Sequence, residues 1–249
     1  MRESESKIFN KIKSSRIWRV TEELIFPRRC PGCDGIIPFG GPKICSECEN
    51  RFIKIGDRFC AVCGKGVREN SRLCEMCKSR DHAYIRGRIL YEYKSAALSI
   101  YRFKYGNRRE YADYFGLQMA MEFETFLEAV SPDALVPIPL HRKRMVKRGY
   151  NQAEDLARAL GKYSGIPVET KLLKRIKNTV PMKLLSVSRR ENNLKKAFIV
   201  NQNGVKLKII ILIDDIYTTG ATIDEAARAL HDSGVEKIYF LTLAGGAAL

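Results

Sequence analysis

Histidine is scarce in this chain, cysteine is absent after Cys77, and long apolar runs are missing altogether. Each absence removes a class of function. The three histidines, His82, His141 and His231, stand at no ligand-like spacing from a cysteine, so His82 and His231 read as surface or capping residues. No Cys-x-x-Cys continues into His, which excludes covalent haem attachment. Neither Gly-x4-Gly-Lys-[Ser/Thr] nor Gly-x-Gly-x-x-Gly occurs, which removes the nucleotide P-loop and the dinucleotide fingerprint. Nothing approaches the ~18 consecutive apolar residues of a membrane span, and Met1 to Arg29 holds no apolar stretch of signal-peptide length. The expectation is a cytoplasmic protein without a membrane span, its cysteines reduced and metal-bound rather than paired as disulfides. Residues 1–26 mix apolar and charged positions and read as an amphipathic segment that packs on its own protein, with a basic membrane-surface helix as the alternative.

What is abundant is positive charge. Lys and Arg number 44 against 28 Asp and Glu, giving a net charge of +16 and a pI of about 9.6. That imbalance favours polyanionic partners: nucleic acid, phosphorylated ligands or an anionic surface. At 249 residues the chain has room for a small domain joined to a larger one. All eight cysteines fall between Cys30 and Cys77, which divides the chain into residues 1–26, a cysteine-rich module over 27–83 and a larger domain over 84–249.

The cysteines form four Cys-x-x-Cys pairs: Cys30/Cys33, Cys45/Cys48, Cys60/Cys63 and Cys74/Cys77. Their near-even spacing reads as a duplicated unit. Each pair can form a knuckle that aims two thiolates at one ion, and two knuckles complete a tetrahedral set. Joining neighbours gives one Zn²⁺ to Cys30, Cys33, Cys45 and Cys48 and a second to Cys60, Cys63, Cys74 and Cys77; an interleaved arrangement of the same ligands also satisfies the spacing. Four thiolates leave no open coordination position, so both zinc ions are expected to be structural. An iron–sulfur cluster would find its ligands here but at a less usual spacing. So short a segment has too little core to fold without its metal.

Beyond residue 84 apolar runs alternate with helical stretches. Strands are expected at Ile85 to Tyr93, Ala134 to Ile138, Lys208 to Ile213 and Lys237 to Leu243. Helices are expected near Ala96 to Lys104, Tyr111 to Ala129, Asn151 to Tyr163 and Thr222 to Asp232. Such alternation, with apolar central strands, implies an α/β fold: a parallel sheet flanked by helices. Within it, Ile209 to Ile213 leads into Asp214-Asp215, then Thr218-Thr219-Gly220-Ala221-Thr222 opens a helix. Ligands of open α/β sheets bind at the carboxyl ends of strands. Successive amides and hydroxyls at a helix N-terminus suit a phosphate, Gly220 allows close backbone approach, and two acceptor-only carboxylates suit a vicinal diol. A phosphate beside a diol describes a ribose 5-phosphate.

This run resembles the phosphoribosyl diphosphate (PRPP) motif of type I phosphoribosyltransferases. Val136-Pro-Ile-Pro139, Arg148-Gly149-Tyr150-Asn151-Gln152 and Ser186-x3-Arg190-x2-Asn193-Leu-Lys-x-Ala-Phe198, together with the cysteine module, make the chain similar to the ComF family, the ComFC or GntX-like competence proteins with an N-terminal double zinc ribbon. The resemblance covers residues from about 24 to 245. It implies that Asp214 and Asp215, the candidate catalytic pair, hold the ribose hydroxyls directly or through Mg²⁺. It places the 5-phosphate on Thr218, Thr219, Gly220, Ala221 and Thr222, and the pyrophosphate beside Pro139, Leu140 and His141. It puts the basic segment Lys171 to Lys196, with Met182 where a glutamine is expected, on a loop that closes over the ligand. The reaction class it implies is displacement of pyrophosphate from C1 of the ribose by a nitrogen nucleophile, with Mg²⁺ neutralising the leaving group. Purine-salvage members carry an aspartate two residues before the motif's glycine; Thr218 stands there, which argues against hypoxanthine or guanine as acceptor.

Arg142, Lys143, Arg144, Lys147 and Arg148 follow the pyrophosphate strand, and Tyr101, Phe103, Lys104, Tyr105, Arg108 and Arg109 interleave aromatics with cations, a mixture suited to single-stranded nucleic acid. The resemblance points to single-stranded DNA arriving during transformation and to a competence-machinery partner such as a ComFA-type helicase. Two other readings share these residues: a transferase of nucleotide metabolism whose zinc module only scaffolds, and a PRPP-gated regulator without turnover.

Overall fold

The computed structural model describes residues 27–68, 71–177, 197–201 and 206–246. The expected N-terminal amphipathic segment, Met182 and the Ser186-to-Asn193 motif lie outside them. The chain divides into two compact units at Arg51/Phe52. This boundary falls between the two four-cysteine groups rather than at the compositional break near residue 83.

In the first unit, Cys30 to Cys33 turns tightly. Asp34 N donates to Cys30 O, Cys30 N to Gly35 O, and Arg29 bridges Ile36. Asp34 adopts a left-handed φ of 68°. A 3-10 turn at Ser46–Cys48 delivers the second pair, with Cys48 buried. Gly32 lies so close to it that a Cβ would sit 2.5 Å from Cys48 Cβ.

The second unit opens by repeating this design thirty residues later. Gly64 N donates to Cys60 O, Cys60 N to Lys65 O, Phe59 bridges Gly66, and Gly64 takes a φ of 71° where Asp34 took 68°. A short helix α1 (Glu75–Lys78) replaces the 3-10 turn. The duplication read from the spacing therefore extends to individual hydrogen bonds. The second copy is tied into the sheet of its own unit: Gly87 N donates to Val62 O, Ile55 N to Leu90 O, and Lys54 bridges Tyr91. That is why the compact unit begins at Phe52.

The sheet comprises β1 (Arg86–Glu92), β2 (Ala134–Pro137), β5 (Ile209–Tyr217) and β6 (Lys237–Gly245) in the order β1-β6-β5-β2, every neighbouring pair parallel. Helix α2 (Tyr93–Tyr105) follows β1 without a break. The expected helix at Tyr111 to Ala129 divides at Phe123, which leaves helical geometry with its ring buried, into α3 (Tyr111–Glu122) and α4 (Glu124–Val130). After β2 come α5 (Arg142–Arg148) and α6 (Gln152–Ser164). Gly116 of α3 lies against Ala159 of α6, where a Cβ would be 2.4 Å from Ala159 Cβ, so this pair of helices requires glycine at the contact.

A small antiparallel strand pair, β3 (Leu173–Arg175) with β4 (Phe198–Val200), and helix α7 (Ala221–His231) share one core cluster with the sheet residues Val136, Ile210, Leu212, Ile238 and Phe240. The α/β expectation holds: parallel strands with largely buried apolar centres are flanked by helices. The sequence did not indicate α5, which buries no residue and so has no apolar stripe, or the β3–β4 pair, whose strands are three residues each.

Candidate functional site

Strand β5 does not stop before the acids, as its isoleucine run suggested. It pairs with β6 from Ile209↔Lys237 through Asp214↔Thr242 to Tyr217↔Gly245, so both aspartates lie within the strand. The side chains meet different elements. Asp215 Oδ1 accepts from Lys104 Nζ of α2 at 2.8 Å, both side chains largely buried. Asp214 Oδ1 accepts from Asp215 N at 2.8 Å. Burial, reinforced by the Asp215 carboxylate, pushes the Asp214 carboxyl up to about 7, while the charges of Lys104 and Arg175 work the other way. Arg175, on β3, is itself buried, and burial together with Arg144 pushes its guanidinium down to about 10.

Thr218, Thr219 and Gly220 turn from β5 into α7. Gly220 caps the helix at φ 78° with no side-chain cap among the described residues, so the first-turn amides at the positive end of the helix dipole lack a capping partner there. Thr219 is 9% exposed, and its Oγ1 is buried without a hydrogen-bond partner. An orphaned hydroxyl costs stability unless a ligand satisfies it. Beneath the loop, Tyr84 and Tyr217 join hydroxyls at 2.7 Å, and a Cβ on Gly220 would lie 2.5 Å from the Tyr217 hydroxyl. Phe240 stacks on Tyr217 at 5.0 Å and meets Tyr84 edge-on at 4.8 Å. Glycine is thus required at 220 on two counts, its left-handed φ and the tyrosine floor.

Pro139, Leu140 and His141 leave β2 next to this end of β5: Ile138 N donates to Ile213 O at 2.9 Å. His141 caps α5, its Nδ1 accepting from Lys143 N. The Arg148-to-Gln152 motif is structural. Gly149 ends α5 at φ 81°, Tyr150 OH donates to Phe103 O, Asn151 caps α6 and donates to Ile138 O, and Arg148 donates to Gln152 Oε1.

The eight cysteines gather as two sets, each of sequence-adjacent pairs, Cys30, Cys33, Cys45 and Cys48, and Cys60, Cys63, Cys74 and Cys77, with the sulfurs of each set within 4.8 Å of one another. A zinc–sulfur bond of about 2.3 Å in a tetrahedron requires sulfurs ~3.8 Å apart. Cys30–Cys45, Cys33–Cys45 and Cys63–Cys74 stand at 3.5, 3.8 and 3.6 Å. In the first set Gly35 N donates to Cys33 Sγ and Cys45 N to Cys30 Sγ, as suits thiolates. The second set cannot hold four thiolates unaided: the Cys60–Cys63 hydrogen bond holds Cys60 down at about 4 and pushes Cys63 far above the thiol range, and burial pushes Cys77 up to about 12. A divalent cation resolves that conflict, so the donors fit Zn²⁺.

His82 is not the surface residue the sequence suggested. Its side chain is 2% exposed, Nε2 lies 3.4 Å from Cys77 Sγ, and Nδ1 donates to Asp224 Oδ2 of α7 at 2.9 Å. Only the tertiary fold brings Asp224 to it, because 142 residues separate them. His231 is exposed at the end of α7, its ring nitrogens 2.8 and 2.9 Å from Val235 O and Ala83 O. Three cations join the strand acids and the loop. Lys65 donates to Thr218 O at 2.5 Å, Lys104 serves Asp215, and Arg175 stands by Asp214. Lys104 belongs to the aromatic-cation stretch and Arg175 to the basic segment Lys171 to Lys196, but no local pattern marks Lys65.

Fold and site together define a phosphoribosyltransferase-type domain preceded by a double zinc ribbon. Two family profiles agree: the double zinc ribbon domain matches residues 22–78, and the phosphoribosyl transferase domain matches residues 146–248. Competence protein F of Haemophilus influenzae is 30% identical over 226 residues, covering 88% of this chain and 97% of the relative. Competence protein ComFC of Bacillus subtilis is 34% identical over 201 residues, 77% of this chain and 79% of the relative. DNA utilization protein YhgH of Escherichia coli K12 is 27% identical over 222 residues, 86% and 96% respectively. The chain belongs to the ComF family of competence proteins. Among the described residues no helix is long and apolar enough to cross a membrane.

Proposed function

We propose that the protein binds PRPP with Mg²⁺ in the cytoplasm and handles incoming single-stranded DNA. The observation that carries the first part is the Thr218–Thr222 turn, where uncapped helix amides and the partnerless Thr219 hydroxyl stand next to the two strand aspartates. Thr218, Thr219, Gly220, Ala221 and Thr222 hold the 5-phosphate. Asp214 and Asp215 take the ribose hydroxyls or share Mg²⁺, a hard cation that prefers carboxylate oxygen. Pro139, Leu140 and His141 lie along the pyrophosphate. When bound, Mg²⁺ supplies neutralising charge for the pyrophosphate. Lys104, paired with Asp215 at 2.8 Å, releases the carboxylate as the ligand enters.

The DNA part draws on the relatives' competence and DNA-utilization names and on the surface of α2 and α5. Tyr101 and Tyr105 are 61% and 55% exposed, and Arg148 lies over the Tyr105 ring at 4.9 Å. These are flat, charged platforms on which bases stack. Phe103 is fully buried and Arg109 is paired with Asp155, so neither serves as the sequence suggested. A helicase of the ComFA type fits as the partner that delivers the strand.

Calorimetric titration of PRPP and Mg²⁺ into the zinc-loaded protein, and into the Asp214→Ala/Asp215→Ala double variant, tests the site. Binding lost in the variant is the expected result; no binding by the wild type refutes it. A transferase reading shares the same geometry, and release of pyrophosphate with a nitrogenous acceptor would select it over ligand binding alone.

A further inference from the structure

We infer that the second zinc ribbon completes the phosphate site, with Lys65 as a ligand of the 5-phosphate; this rests on the PRPP reading above. Lys65 follows Cys60-Ala-Val-Cys63-Gly64, and its ammonium already reaches the loop, donating to Thr218 O at 2.5 Å and lying 5.3 Å from the centre of the Tyr217 ring. A lysine ammonium has three donors on a flexible stem, so holding Thr218 O leaves two for an anion on the neighbouring amides. The buried, partnerless Thr219 Oγ1 in the same turn independently marks where such an anion is wanted.

The two ribbon copies sharpen the assignment. At an offset of thirty residues their turns share the same backbone hydrogen bonds, yet Lys65 replaces Gly35. Measured from the last cysteine of each set, His82 replaces Ile53. Both substitutions lie where the second copy meets the phosphate loop and its helix. His82 links Cys77 to Asp224 in the first turn of α7, Ala83 N donates to Asp224 Oδ1 at 2.9 Å, and Tyr84 bonds Tyr217 under Gly220. The ribbon is therefore held against α7 at several points. The zinc knuckle keeps the Lys65 backbone in place through Cys60 N to Lys65 O at 2.7 Å.

The test is calorimetric binding of three probes, Mg²⁺–PRPP, ribose 5-phosphate and inorganic pyrophosphate, to the full-length wild type, Lys65→Met and Lys65→Arg, each with its zinc content measured. Loss of one charge-assisted hydrogen bond predicts that Lys65→Met binds PRPP and ribose 5-phosphate about 10- to 100-fold more weakly. Pyrophosphate affinity stays within about 3-fold, and Lys65→Arg recovers most of the loss because the cation is restored. Unchanged affinity of Lys65→Met for ribose 5-phosphate overturns the inference while leaving the PRPP reading standing. An equal loss for pyrophosphate also overturns it, since the defect would not be specific to the 5-phosphate. A wild type that binds none of the three overturns both.

Discussion

Replacing Asp214 with asparagine should stabilise the protein, and more so at higher pH. The carboxyl is pushed up to about 7 by burial and by Asp215, against ~3.9 in an unfolded chain. Between these values the folded state binds more protons than the unfolded state, so stability falls as pH rises and the full cost applies above about 7. One pKa unit is worth about 1.4 kcal/mol. The neutral amide escapes a cost of on the order of 2 kcal/mol at pH 5 and 4 kcal/mol at pH 8. Urea unfolding of zinc-saturated wild type and Asp214→Asn at both values measures it: the variant's advantage should grow by about 2–3 kcal/mol from pH 5 to pH 8. A gap that does not change with pH, or a variant less stable than wild type at pH 8, would refute the reasoning. On the proposed function the same substitution should also abolish PRPP binding, which the calorimetric titration checks.

Gly220→Ala should destabilise by at least about 1–2 kcal/mol from its left-handed φ alone, with further loss from the collision with the Tyr217 hydroxyl; thermal unfolding reads this out, and an unperturbed melting temperature would contradict it. Metal analysis should find two zinc ions per chain, and Cys60→Ser should retain one, because the two sets share no ligand. Tyr105→Ala should weaken single-stranded DNA binding by about 1–3 kcal/mol with the salt dependence unchanged; Lys147→Ala should instead reduce the salt slope by about 0.7. Fluorescence anisotropy over a salt series separates these effects.

The cysteine spacing by itself pointed to two four-thiolate sites, because ligand type and local turn geometry are encoded within a few residues, while the folded chain decided that neighbouring pairs join. The duplication visible in that spacing is repeated in the hydrogen bonds of Cys30 and Cys60. Local patterning likewise pointed to the parallel sheet and to the Thr218-to-Thr222 turn at the end of β5, since apolar strands and a Thr-Thr-Gly run need no distant residue to be recognised. Only the tertiary structure decided where β5 ends, because its last residues are held by pairing with β6 rather than by their own hydrophobicity. It alone brought Lys65, Lys104 and Arg175 to the site and buried His82 between Cys77 and Asp224. Those placements depend on contacts between segments far apart in the chain, and a local motif, even where one partner sits in it, does not say which distant side chain meets it.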